Sequence, residues 1–325
     1  MSLSRRRFLS MSASAAVVPA TLRMALAQAY PSRPVRIVVG YAAGGVADLT
    51  ARLMAQSLSE RLGQPFIVEN RPGGGSNLAA EMVTRASPDG YTLLQMSVSN
   101  AINATLYRHL NFSVTRDIAP VASIMRVPAV LEVNPSFPAK TVPEFIAYAK
   151  AHPGKVNLAS GGIGSVPHVY GELFKMMAGV DMVHVHYRSS GPGLTDLLGG
   201  QVEATIDPLP SSIAHIRAGH LRPLAVTTRA RLEILPDVPT IGEFVPGYEA
   251  SGWQGLAAPA GTPRDIVEML NHEVNAVLAD GRMKTRLADL GGNIITGSPD
   301  DFRTHIAAEI DKWAKVVRFA AASAE

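Results

Sequence analysis

The chain alternates between two hydrophobic rhythms. Short apolar, often β-branched runs, such as Val35–Val39, Phe66–Glu69, Tyr91–Met96, Val156–Ala159, Val183–Tyr187 and Val202–Ile206, have the length and composition of strands. Between them lie stretches of helical spacing, near Ala47–Leu62, Asn77–Ala86 and Val142–Ala151. Strand, loop and helix in turn predict an α/β fold with a mostly parallel, doubly wound sheet. The segments Val121–Arg126 and Ala129–Val133 form one long extended stretch, and Leu221–Thr227 forms another. Two α/β units joined by two extended crossings make a two-strand hinge, a construction suited to closing around a ligand. The expected lobes are residues 30–125 with 226–325, and residues 126–225.

Later in the chain the spacing becomes purely helical. Thr262-Pro263-Arg264-Asp265 reads as a capping box opening a helix to about Ala279. Phe302, Ile306, Ile310, Trp313 and Val317 then mark the buried stripe of a last helix over roughly Pro299–Ala321. Neither repeats nor low-complexity tracts interrupt the pattern.

The first 29 residues break the rhythm. Arg5, Arg6 and Arg7 precede a modestly apolar run that ends Ala25-Leu26-Ala27-Gln28-Ala29. This is the pattern of a cleaved export signal, and Ser4–Leu9 fits its twin-arginine form. The signal also changes the charge. The whole chain carries 30 Lys and Arg against 27 Asp and Glu. Without Arg5, Arg6, Arg7 and Arg23, 26 basic side chains face 27 acidic ones. A basic nucleic-acid surface is therefore not expected. Cysteine is absent, which excludes disulfides, thiolate metal sites and a lipid-modified cysteine.

Three glycine- and serine-rich loops each open a helix: 40–47, 160–166 and 189–192. Backbone N–H groups at such junctions suit an anion. The first loop, Gly40-Tyr41-Ala42-Ala43-Gly44-Gly45, lacks the Gly-Lys-Ser/Thr of a phosphate loop and the glycine spacing of a dinucleotide fingerprint. Uncharged donors of this kind suit a carboxylate, with hydroxyls of Ser160, Ser165, Ser189 and Ser190 adding hydrogen bonds.

The segments YPSRPVRIVVGYAAGGVAD, VENRPGGGSNLAAEMVTRASPDGYTLL, LASGGIGSVPH, VHYRSSGPGLTDLLGGQVEATID, PDVPTIGEF and WQGLAAPAGTP resemble the solute-binding proteins of the tripartite tricarboxylate transporter family over residues 30–325. The resemblance implies the type II periplasmic binding fold and capture of a small organic carboxylate, a dicarboxylate or an aromatic acid, between two lobes. It implies that one carboxylate is held by the first loop, partly through bridging waters. It also implies a membrane permease as partner, a periplasmic monomer and no cofactor. The ligand-binding set it implies is Tyr41, Ala43, Gly44, Gly45, Asp48 and Ser97 on one side. On the other side are Ser160, Gly164, Ser165, His168, Tyr187, Ser189 and Asp207. The family usually has proline where Ala43 stands, a polar residue where Ala47 stands, and Tyr-Lys-Gly where this chain reads Tyr187-Arg188-Ser189, so ligand preference does not carry over.

Several of these residues have a plainer reading. Asp48, in the first turn of its helix, suits dipole complementation as well as ligand contact. His168 can bond a loop carbonyl rather than ligand. Trp253 suits a core or a hinge as well as stacking on an aromatic acid. His184 and His186 lie on one face of a strand, but a metal needs a further ligand, so no metal is assigned. There is no Gly-x-Ser-x-Gly elbow. A transport binding protein leads; a sensory binding protein that presents its closed form to a receptor has the same fold, and an exported hydrolase comes third.

Overall fold

The computed structural model describes residues 30–322; the export-signal reading falls on residues outside that range. The body of the chain begins at Arg33. Its elements are β1 (Val35–Val39), α1 (Val46–Leu62), β2 (Phe66–Asn70), α2 (Asn77–Thr84), β3 (Thr92–Ser97) and α3 (Val98–Leu106). There follow β4 (Ile118–Val133), α4 (Val142–Ala151), β5 (Asn157–Ser160), α5 (Val166–Ala178), β6 (Val183–His186) and α6 (Ser190–Leu198). The chain continues through β7 (Ala204–Pro208), α7 (Leu209–Arg217), β8 (Arg222–Val226), β9 (Ser251–Pro259), α8 (Arg264–Ala279), α9 (Gly281–Asp289), β10 (Asn293–Ile294) and α10 (Pro299–Phe319).

The strands form one mixed sheet in the order β2-β1-β3-β9-β4-β7-β5-β6, with β8 and β10 also paired to β4. The α/β reading holds, but the sheet is not mostly parallel as expected: β4 and β9 run antiparallel to each of their neighbours. β4 is the spine. Its first part, Ile118–Pro128, pairs antiparallel with β9, and its last part, Ala129–Val133, pairs with β7 and β8. The two expected strand segments around Arg126 are thus one continuous strand. β1, β2 and β3 run parallel beyond β9, and β5, β6 and β7 run parallel beyond β4.

Local chemistry explains the ends of these elements. In α1 the buried positions Ala47, Ala51, Met54, Ala55 and Leu58 recur at helical spacing, and Gly63, in the left-handed region at φ 68°, closes the helix. Thr141 caps α4 by accepting from the Glu144 N–H. Ser298 and Asp301 form a capping box at α10. The capping box expected at Thr262 does not form. Pro263 occupies the N-cap of α8 without a side-chain bond, and the Thr262 hydroxyl instead donates to the Pro259 carbonyl at 2.8 Å.

The stripe on α10 packs as expected. Phe302, Ile306, Trp313 and Val317 are buried, and Ile310 is partly buried against the same core. Trp253 is a core residue too: its ring meets Phe302 edge-on, and its indole N–H donates to Glu309 Oε2 at 3.2 Å. Trp313 donates to the same oxygen at 2.9 Å, and Lys312 pairs with the other oxygen, so a buried carboxylate finds full compensation.

Candidate functional site

In a parallel sheet, ligands sit beyond the carboxyl ends of the strands. The structure puts the candidate residues there in two groups. The first group follows β1 and β3; the second follows β5, β6 and β7.

In the first group, Ala43, Gly44 and Gly45 are exposed, and Gly45 is the N-cap of α1 without a side-chain cap. Gly44 adopts φ +87°, a conformation that suits glycine. Asp48 is buried beneath the loop and fully engaged inside the protein. Its Oδ2 accepts from the Gly44 N–H at 2.9 Å and from Arg52 Nε at 2.9 Å, and its Oδ1 accepts from Asn70 Nδ2 at 2.9 Å. Asn70 also donates to the Tyr41 carbonyl at 3.0 Å. Burial pushes the Asp48 carboxyl up, but the bonds from Arg52, Gly44 and Asn70 outweigh it and hold it below the ordinary aspartate value. Asp48 therefore shapes the loop from below. The Tyr41 hydroxyl lies 3.1 Å from Ser97 Oγ, and Ser97 is the N-cap of α3 in a capping box with Asn100.

In the second group, Ser160 is buried, with Oγ 2.8 Å from His186 Nδ1. Ser165 is the N-cap of α5 and accepts from the His168 N–H at 3.4 Å. His168 bonds its own loop, but not the carbonyl its plainer reading expected: Nδ1 accepts from the Gly164 N–H at 3.2 Å. Burial first, then the neighbouring His184 and His186, push the His168 imidazole down to about 4, so it is neutral at pH 7. Tyr187 donates to Asp196 Oδ2 at 2.7 Å; burial and that carboxylate push its phenol up to about 12. Ser189 is exposed and is the N-cap of α6, again without a side-chain cap. Ser190 donates to Asp207 Oδ1 at 2.6 Å.

Asp207 is buried, and its Oδ2 has no hydrogen-bond partner of good geometry. On β4, Glu132 is fully buried and both of its carboxyl oxygens lack a partner of good geometry. Val130 stands opposite Asp207 and Glu132 opposite Thr205, so the two carboxyls share one face of the sheet. Burial raises Asp207 to about 6, against the bonds from Ser190 and Ser211. Burial and the Asp207 charge raise Glu132 well above the usual carboxylate range, against the Ser212 hydroxyl.

The helix that follows β3 reaches the second group. A Cβ built on Gly164 would lie 2.1 Å from Leu106 Cδ2, so the end of α3 rests against the second loop. Ser160 and Asp207 line a narrow cavity of about 10 Å³, with Gly161, Ser190, Gly193 and Thr205. That is room for about one water. Larger grooves lie elsewhere, about 600 Å³ between α1 and α9 and about 670 Å³ beside α7. Neither includes a candidate residue, and both have charged side chains in their walls, as ordinary surface concavities do.

Sequence reading did not find Glu132, Asn70, Arg52 or Leu106. Glu132 was visible as a lone acid inside the apolar run Val130–Val133. Asn70 and Leu106 carry no local signal, since their partners are distant in sequence.

Replacing Ser165 with Ala removes a helix cap. It should cost about 1 kcal/mol of stability in chemical denaturation. An unchanged unfolding midpoint would contradict the capping role.

The family model described as tripartite tricarboxylate transporter family receptor (TctC) matches residues 50–321. The chain belongs to that family. It is 38% identical to the protein BugT of Bordetella pertussis over 295 residues, 90% of each chain. Among solved structures, Rpa4515 of R. palustris with adipate superposes with a TM-score of 0.79 at 41% identity, covering 90% of this chain and 99% of that one. MatC of Rhodopseudomonas palustris with bound malate gives 0.75 at 34% identity, covering 89% and 100%. The periplasmic binding protein BugD gives 0.76 at 32%, covering 91% and 100%. The fold is thus that of the family's periplasmic solute-binding proteins.

Proposed function

We propose that the chain captures a small dicarboxylate between its two groups of loops and delivers it to a membrane permease. The observation that carries this reading is the pair of uncapped helix starts, α1 at Gly45 and α6 at Ser189. Both are exposed, and both follow the carboxyl ends of parallel strands. Residues 42–45 bear no charge, so backbone dipoles supply the attraction. One carboxylate sits over Tyr41, Ala43, Gly44 and Gly45, and the other over Ser160, Gly164, Ser165 and Ser189, with His168 and Tyr187 bracing the second loop. Asp48, Ser97 and Asp207 support these contacts from beneath. Adipate in Rpa4515 and malate in MatC support the ligand class.

Residues 30–125 with 226–325 form one lobe and 126–225 the other, with β4 and the crossing near 226 as hinge. Leu106 against Gly164 marks a closed arrangement, and separation of the lobes admits the ligand. The chain works in the periplasm as a monomer, exported through its twin-arginine signal.

Binding without turnover is the favoured role. Ser160 and His186 have a nucleophile–base spacing, but Ser160 is buried and no carboxylate bonds His186 among the described residues. Calorimetry with small dicarboxylic acids and their amides tests the reading.

A further inference from the structure

Behind the second loop lies a cluster of which carboxylate capture uses only His168, as a brace for that loop. His168 and Glu172 stand four residues apart on α5, which puts them on one face. His184 on β6 completes the group, and the ligand atoms of the three residues lie within 4.8 Å of one another. His184 Nε2 is 3.0 Å from Glu172 Oε1, yet neither ring nitrogen of His184 has a hydrogen bond of good geometry. The His184 side chain is only 6% exposed, so these are buried polar atoms without a fitting partner. The chain makes room for this ring: a Cβ at Gly171 would lie 2.7 Å from His184 Cε1 and 2.4 Å from Leu158 Cδ2.

We propose that His168, Glu172 and His184 form a binding site for a divalent transition-metal ion of the zinc class. Two imidazoles and one carboxylate are the donor set that zinc accepts, with a fourth position left to water. Calcium and magnesium prefer all-oxygen sites. Lys175 presently supplies the positive charge, with Nζ 2.7 Å from Glu172 Oε1. Its side chain is 17% exposed and sits on a flexible stem, so it can swing to solvent when the ion arrives.

The site also reaches the second loop. Through Nδ1, coordination uses the lone pair that accepts the Gly164 N–H; through Nε2, it leaves the proton on Nδ1. Either way the 3.2 Å bond from Gly164 is given up when the ion binds.

Titration of the untagged full chain with Zn²⁺ by calorimetry tests the site, with Co²⁺ absorption reporting tetrahedral coordination. One saturable equivalent is expected. His184→Gln and Glu172→Gln should each weaken it at least about tenfold. Lys175→Met, which removes the competing cation, should tighten it. Circular dichroism melts establish that each variant is folded. Absence of a saturable equivalent in the parent, or affinity unchanged in folded His184→Gln and Glu172→Gln, would overturn the proposal.

Discussion

Gly45→Val should abolish ligand binding while leaving the protein folded. Gly45 has φ −78°, an ordinary value, and a Cβ there would meet only the Ala42 carbonyl at 3.8 Å. The fold therefore accepts a side chain, and the stability change should stay within about 1 kcal/mol, the scale of an N-cap substitution. The added methyl groups instead crowd the N-cap of α1, where the proposed carboxylate approaches the first N–H groups of the helix. Losing two charge-assisted hydrogen bonds at about 1.5 kcal/mol each corresponds to at least about 100-fold in affinity. Calorimetry and thermal melts on the same preparation separate the two quantities. A folded variant with parental affinity would reduce the first loop to a connection between β1 and α1.

The second large effect concerns the buried carboxyls Asp207 and Glu132. The Asp207 pKa is raised from 3.8 unfolded to about 6 folded. A raised acid binds its proton more tightly in the folded state. The stabilisation this brings is complete below pH 3.8 and is lost as pH rises through about 6. The full window corresponds to about 3 kcal/mol, of which about 1.5 kcal/mol falls between pH 5 and pH 8. Asp207→Asn removes the titration, so its loss of stability from pH 5 to pH 8 should be smaller than the parent's by that amount. Glu132→Gln should act in the same sense, because burial and the Asp207 charge raise the Glu132 carboxyl as well. His168, held at about 4, works in the opposite sense between pH 4 and 6.5, so the reading is the difference between variant and parent. Denaturant unfolding at the two pH values measures it. Parallel slopes in the parent and Asp207→Asn would contradict the account of this buried pair.

The fold was legible where local pattern and tertiary environment agree. α1 was expected from Ala47 to Leu62 and runs Val46–Leu62; α4 spans Val142–Ala151 as expected. β9 was not read, because it lies between β3 and β4 and is largely buried along both faces. Its segment SGWQGLAAP, with Gly252 and Gly255, then shows neither alternation nor a β-branched run. α3 was missed because it follows β3 without a turn, and its buried Asn100 and Asn103 interrupt the apolar stripe. α7, which begins directly after Pro208, the last residue of β7, and the short α9 were missed as well.

The loops of the site announced themselves by their glycines and serines. Their wiring did not. Asp48 finds Asn70 22 residues away, and Gly164 finds Leu106 58 residues earlier in the chain. Glu132 and Asp207 come together only because β4 pairs with β7. Contacts of that kind are made by sheet register, which no window of sequence displays.

The central claim is that backbone dipoles at two loops hold a carboxylate. Calorimetry with a four- to six-carbon dicarboxylic acid and with its diamide, at low and high salt, addresses it most directly. The account predicts saturable 1:1 binding of the acid, weak salt dependence, and loss of most of the affinity in the diamide. Equal affinity for acid and diamide would contradict it.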